Sequence, residues 1–201
     1  PASCDLWIDD LAPATGQLIA RIPCSDHRDI DAAVEAAQAA LPEWGALNHA
    51  ERADWLDKIA DALEARAEEV AQLESLDAGK PISLARAVDA ARSVANFRFF
   101  AQEVRTFCPE TFKMKDATNH VVYKPVGVAG LITPWNLPLY LLSWKVAPAL
   151  AMGNTVVAKP SELTPMSASL LAEILDDVGL PSGVFHLVHG SGELARAPLP
   201  S

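Results

Sequence analysis

The chain has 201 residues, half of them hydrophobic and only 21% charged, so a sizeable core is available and global disorder is excluded. Sixteen Lys and Arg against 26 Asp and Glu give a net charge of −10. With no basic run, that balance argues against a nucleic-acid partner and reads as a solvated acidic surface.

Residues 1–10 show neither the basic start nor the apolar run of a signal peptide, and no initiator Met, so the true start is expected to be missing. The three cysteines, Cys4, Cys24 and Cys108, have an odd count and no metal-ligand spacing. They suit a reducing compartment, and the expected location is cytoplasmic.

The first half reads as helical. Ser25 or Asp26 caps a helix with Ile30, Val34, Ala37 and Leu41 on one side, which Pro42 to Gly45 should break. A second helix carries Leu56, Ile59, Leu63, Ala67, Val70 and Leu73 on one stripe and stops at Gly79 and Pro81. A third places Leu84, Val88, Ala91, Ala95 and Phe99 toward the core. Residues 107–124 suit an exposed hairpin or edge strand.

From Val121 the pattern changes to α/β. Val126 to Ile132 is nearly all apolar, as for a strand covered on both faces. Pro138 to Met152 reads as a buried helix, Thr155 to Lys159 as a strand, Met166 to Val178 as a helix and Val184 to Val188 as a third strand. This β-α-β-α-β order implies one parallel sheet. Residues 125–144 carry no charge, about the span a bilayer needs. Pro125, Pro134, Pro138 and Asn136 argue against a membrane segment and for a strand, a loop and a helix.

In an open parallel sheet, ligands bind beyond the carboxyl ends of the strands. Thr133 to Asn136, Lys159 to Glu162 and Gly190 to Gly192 all fall at those ends. Lys159 and Glu162 can donate to and accept from a ribose diol, and a carboxylate there disfavours a 2′-phosphate. A surface Lys–Glu pair of little consequence explains them about equally well. Asn136 reads either as a buried amide bracing a loop or as a donor to a developing oxyanion, and spacing favours the first. A G-x-G-x-x-G fingerprint is absent, and Gly79-Lys80 fails as a P-loop because Glu74 stands where its first glycine belongs. His186 and His189 should point to opposite faces of a strand, and no metal site is expected.

Four segments together resemble the aldehyde dehydrogenase superfamily. They are Pro125-Val-Gly-Val-Ala-Gly-Leu-Ile-Thr-Pro-Trp-Asn136, Trp144-Lys-Val-Ala-Pro-Ala149, Gly153-Asn-Thr-Val-Val-Ala-Lys-Pro-Ser-Glu162 and Pro181-Ser-Gly-Val184. The likeness runs from about Asp9 to Gly192. It implies a Rossmann-like NAD-binding domain, incomplete here: residues 1–106 as its N-terminal helical part, 107–124 as the start of an oligomerisation hairpin and 125–201 as the β-α-β-α-β part. It implies NAD as cofactor, an aldehyde as substrate and a homo-oligomer at full length. By the same resemblance Asn136 stabilises the oxyanion and Lys159 and Glu162 hold the adenosine ribose, with Ser161 in the same motif. Ile132, Thr133, Pro134, Trp135 and Asn136 then line the cofactor cleft, and Gly190 lies beside the adenine.

Ala91-Arg-Ser-Val-Ala-Asn-Phe-Arg-Phe-Phe-Ala101 and Pro134 to Trp144 are most similar to the muconic semialdehyde branch, enzymes of the kynurenine route and its bacterial counterparts. The family's nucleophilic Cys, general-base Glu and Phe-Thr-Gly-Ser strand have no match here, and none of the three cysteines lies where the nucleophile should be. Ala197-Pro-Leu-Pro-Ser201 cannot continue the crossover helix the pattern requires, so an altered or truncated end is expected. The chain alone is then expected to be inactive and unstable, with a non-catalytic short form pairing with full-length subunits as the alternative.

Overall fold

The computed structural model describes residues 5–194, so the readings of Cys4 and of Ala197 to Ser201 lie outside the described residues. The chain opens not with a helix but with an antiparallel pair, β1 (Trp7–Leu11) and β2 (Leu18–Pro23). Helical spacing cannot reveal it. The turn signal is Pro13 to Gly16, where Gly16 takes a φ of 69° and its N–H bonds the Ala12 carbonyl. Residues 1–106 are therefore not purely helical.

Helix α1 (His27–Ala46) starts at Asp26 with a reciprocal capping box to Asp29. It runs through Pro42 rather than breaking there. Beyond the proline, Trp44 is buried in the core and Gly45 packs against Pro125, so tertiary burial outweighs the lost backbone bond. The second predicted helix is two: α2 (His49–Ala65) and α3 (Ala67–Ala78), divided at Arg66, whose φ and ψ of −105° and 17° leave the helical region. Its guanidinium reaches Glu69, Glu173 and Asp177, drawing the turn toward the later helix. Gly79, at a φ of 69°, ends α3 as its sequence implies.

A short turn, α4 (Ile82–Leu84), continues through a π-helical stretch (Ala85–Ala90) into α5 (Ala91–Thr106). The predicted core stripe here is wrong: Leu84, Ala91, Ala95 and Phe99 are exposed, and Ala85, Asp89, Ser93, Asn96, Phe97, Ala101 and Val104 are buried. Counting apolar residues picks the wrong face because Asp89, Ser93 and Asn96 find hydrogen bonds inside. Asp89 meets Lys80, Ser93 donates to the Asp89 carbonyl, and Asn96 donates to the Tyr140 carbonyl and the Ser143 hydroxyl.

An exposed hairpin follows, β3 (Thr111–Lys113) with β4 (Thr118–His120). Then come β5 (Val128–Ile132), α6 (Pro138–Ala151), β6 (Thr155–Lys159), α7 (Met166–Asp177) and β7 (Phe185–Leu187). The three strands form one parallel sheet in the order β5-β6-β7. Along β6, Val156 and Ala158 join the core under α6 and α7. The alternate Thr155 faces α1, where its hydroxyl donates to the Ala37 carbonyl at 3.0 Å. Strand β5 is an edge and is not covered on both faces: Ile132 is half exposed and the preceding Val126 is 98% exposed. Residues 125–144 thus comprise a strand, a loop and the start of a helix. No helix among the described residues is long and apolar enough to cross a membrane.

Leu56, Ile59 and Leu63 of α2 pack with Phe97 of α5 and Leu139, Leu142 and Leu150 of α6. Each such side chain contributes about 1.5–3 kcal/mol by burial. The Arg98 and Arg105 pairs that also link α5 to α2 are exposed and screened by water, so apolar packing decides this contact.

Four carboxylates, Asp10, Glu74, Asp77 and Asp89, are buried, and two of them meet one cation. Lys80 lies 3.0 Å from Glu74 and 2.6 Å from Asp89. Asp77 accepts the Met166 N–H at 2.9 Å, and burial raises the carboxyls of Asp77 and of Asp10 on β1 above their usual values. Burial pushes the Asp77 carboxyl from 3.8 up to about 7, with the charges of Asp10 and Glu74 adding to the rise. A raised folded-state value means stability fully present below 3.8, declining as pH rises and lost above about 7. Urea unfolding across that window should show a fall that is shallower in Asp77→Asn, which keeps the acceptor and does not titrate. An equal slope in both proteins would mean that Asp77 does not titrate in this window.

Candidate cofactor site

Strands β5 and β6 end together, and the Thr133 N–H bonds the Lys159 carbonyl at 3.2 Å, so the two candidate loops leave the sheet side by side. Thr164, just before α7, donates to the Trp135 carbonyl at 3.4 Å and joins the loops again farther out. Ile132 is half exposed, and its carbonyl accepts from the Lys145 ammonium. Thr133 is buried, Pro134 and Trp135 are exposed, and Asn136 is exposed too. Asn136 therefore does not brace the loop as a buried amide. Among the described residues none hydrogen-bonds its side chain, which leaves the amide open to a ligand.

Lys159 is not a surface residue: it is 9% exposed, with its ammonium 2.9 Å from the Pro160 carbonyl and 3.6 Å from Glu162. Glu162 in turn accepts the Gly192 N–H at 3.2 Å, which ties the loop after β6 to the loop after β7. The Ser161 hydroxyl accepts the Leu163 N–H at 3.2 Å and shapes the turn into α7. Lys159 keeps donors beyond the one it spends on Pro160, and Glu162 keeps acceptor capacity beyond Gly192. The pair can thus receive a diol between a cation and a carboxylate, so the residues fit a ribose.

Gly190 is the exception. It is buried, but under Leu194: a Cβ built on Gly190 would lie 2.3 Å from the Leu194 Cδ2. Leu194 also lines an apolar cavity of about 390 Å³ along the open face of β5, with Ile30, Val34, Val128, Val157 and Lys159. The leucine would have to turn away before an aromatic base could reach the glycine.

Sequence reasoning missed His189. It sits beside Lys159, and its Nε2 lies 3.1 Å from the Ser169 hydroxyl. Burial, then the Lys159 charge, depresses this imidazole to about 4, so it is neutral near pH 7. Its position just past β7, beside the loop ends, is the signal that could have found it. His186, on β7 itself, is also held below its usual value by burial. Cys24 follows β2 and Cys108 follows α5, and neither lines this cleft.

A parallel β-α-β-α-β sheet with its polar groups gathered at the carboxyl ends of the strands defines a Rossmann-like dinucleotide-binding unit. The sequence matches the aldehyde dehydrogenase family over residues 2–200, and the chain belongs to that family. It is 50% identical over 191 residues to the human 2-aminomuconic semialdehyde dehydrogenase, covering 94% of this chain and 39% of that protein. To the 2-hydroxymuconic semialdehyde dehydrogenase of Pseudomonas sp. (strain CF600) it is 48% identical over 190 residues, covering 92% and 39%. Among solved structures, PnpE in complex with nicotinamide adenine dinucleotide superposes with a TM-score of 0.92 at 44% identity. That match covers 96% of this chain and 40% of PnpE. The chain thus spans about two fifths of the length of these relatives.

The crowding at Gly190 can be measured. Gly190→Ala should cost about 1–3 kcal/mol of unfolding free energy, as overpacking does. In a Leu194→Ala background the same change should cost clearly less. Additive losses in the double-mutant cycle would mean that Leu194 does not cover the glycine.

Proposed function

We propose that this chain is the cofactor-binding part of an NAD-linked aldehyde dehydrogenase, and that its substrate class is a muconic-type semialdehyde. The observation that carries the reading is the meeting of Lys159, Glu162 and the Thr133–Asn136 loop at adjacent strand ends. NAD, when bound, supplies the hydride acceptor of aldehyde oxidation. Lys159 and Glu162 grip its ribose diol, donor and acceptor together, and the Glu162 carboxylate repels a 2′-phosphate. The exposed Asn136 amide donates to the aldehyde oxygen as that oxygen gains negative charge. Among the described residues neither Cys24 nor Cys108 lines the cleft, so these residues supply cofactor binding and an oxyanion donor rather than a nucleophile. The semialdehyde preference rests on the muconic relatives, whose names state that substrate. Cytoplasmic residence and a homo-oligomeric full-length form belong to the same reading.

A second reading has one observation in its favour. The β3/β4 hairpin is exposed along both strands, and Phe112, Met114, Val122 and Tyr123 present apolar surface on and beside it. Such an unpaired edge can add to a sheet in another subunit, so the chain could act by pairing with a full-length relative. Co-purification with such a relative supports this, and indifference to it counts against it.

The test of the main reading is binding without turnover. Calorimetry should detect NAD and find NADP weaker, and Lys159→Met and Glu162→Gln should each weaken NAD by about tenfold, the loss of one charged hydrogen bond. No NADH should form with any aldehyde. NADH formation would refute the assignment of these residues to binding and oxyanion donation alone, and undetectable NAD binding would refute the site.

A further inference from the structure

We infer that the two buried carboxylates of α3, Glu74 and Asp77, are positioning residues that hold both loops of the candidate cofactor cleft at once. They lie three residues apart on one face of the helix. Glu74 accepts the N–H of Leu139, in the first turn of α6, at 3.0 Å. Asp77 accepts the N–H of Met166, the first residue of α7, at 2.9 Å. These are the helices that follow the two candidate loops. Leu137 alone separates Asn136 from α6, and Leu163, Thr164 and Pro165 separate Glu162 from α7.

The first-turn N–H groups of a helix need acceptors, and α1 and α2 find them in their own capping residues, Asp26 and Asn48. Neither α6 nor α7 has such a cap: Leu137 and Pro165 stand at the cap positions and provide no side-chain bond. The acceptors come instead from α3, distant in sequence, and the Glu74 carboxylate adds the negative charge that suits the start of α6. Glu74 is itself fixed by Lys80, which also binds Asp89, and Asp77 is buried. Burying carboxylates is costly, and apolar residues would fill the same space at lower cost. What a carboxylate adds is direction: it sets where each helix begins, and hence where each loop ends.

This deepens the proposed function and rests on it for the identity of the ligand. The experiment follows the amide resonances of Thr133, Trp135, Asn136, Lys159, Ser161 and Glu162 in the nitrogen-15-labelled full chain, beside NAD affinity. Glu74→Ala should shift the first loop and Asp77→Ala the second, each weakening NAD by about tenfold for one lost acceptor. Asp77→Asn, which keeps the acceptor, should return affinity to within about threefold. Val70→Ala, a cavity on the same helix, should leave both loops and the affinity nearly unchanged even though it lowers stability. If Glu74→Ala does not fold, Glu74→Leu fills the volume without the acceptor and serves in its place. Loop shifts no larger than those of Val70→Ala would overturn the inference. Should the unmutated chain fail to bind NAD, the functional reading falls, while the loop resonances still decide whether α3 positions them.

Discussion

Helix α6 is not buried all round: Leu139, Leu142, Val146 and Leu150 enter the core while Trp144 and Lys145 are exposed, but its two ends are satisfied by protein. At its start the Glu74 carboxylate takes the Leu139 N–H. At its end the buried Arg52 guanidinium donates to the carbonyls of Ala151 and of Leu47, just after α1. Anion at the N-terminus and cation at the C-terminus are the signs the helix dipole favours, and in a buried setting that match matters more than at a surface. Removing Glu74 would leave the Leu139 N–H without its acceptor, and removing Arg52 would leave the Ala151 and Leu47 carbonyls without their donor, at about 1–3 kcal/mol for each such loss.

Much else depends on this clamp. Helix α6 forms the floor under β5 and β6, and α2 and α5 pack on its far side. Its first turn anchors the loop that carries Thr133 to Asn136, and its last turn leads through Gly153 and Asn154 into β6. The Asn154 side chain accepts the N–H groups of Val126 and Gly127, which sets the entry of β5 against that of β6. The site is therefore built at the exits of two strands whose entries and intervening helix are all fixed.

The α/β half was legible because its signals are local: apolar runs of strand length, β-branched residues and glycines at turns. Thr155–Lys159 and Met166–Asp177 fall where the sequence puts them, to within a residue. The errors share a different cause. Trp44 keeps α1 intact past a proline, and Asp89, Ser93 and Asn96 are buried because distant groups satisfy them. Those partners lie outside any sequence window. The P-loop comparison fails at Glu74, and the structure gives that residue a role: it is one of two carboxylates on which the helix starts depend. At the site, sequence brings Lys159, Glu162 and Asn136 to the same end of the sheet. It cannot say that Lys159 is buried, that Asn136 is open, or that Leu194 covers Gly190.

The central claim is that the loops after β5, β6 and β7 form one cleft that receives a dinucleotide. The most direct measurement is a crystal structure of the chain soaked with NAD. The account predicts a ribose diol between the Lys159 ammonium and the Glu162 carboxylate, with Leu194 turned away from Gly190. Dinucleotide density elsewhere on the molecule, with Lys159 and Glu162 untouched, would contradict it.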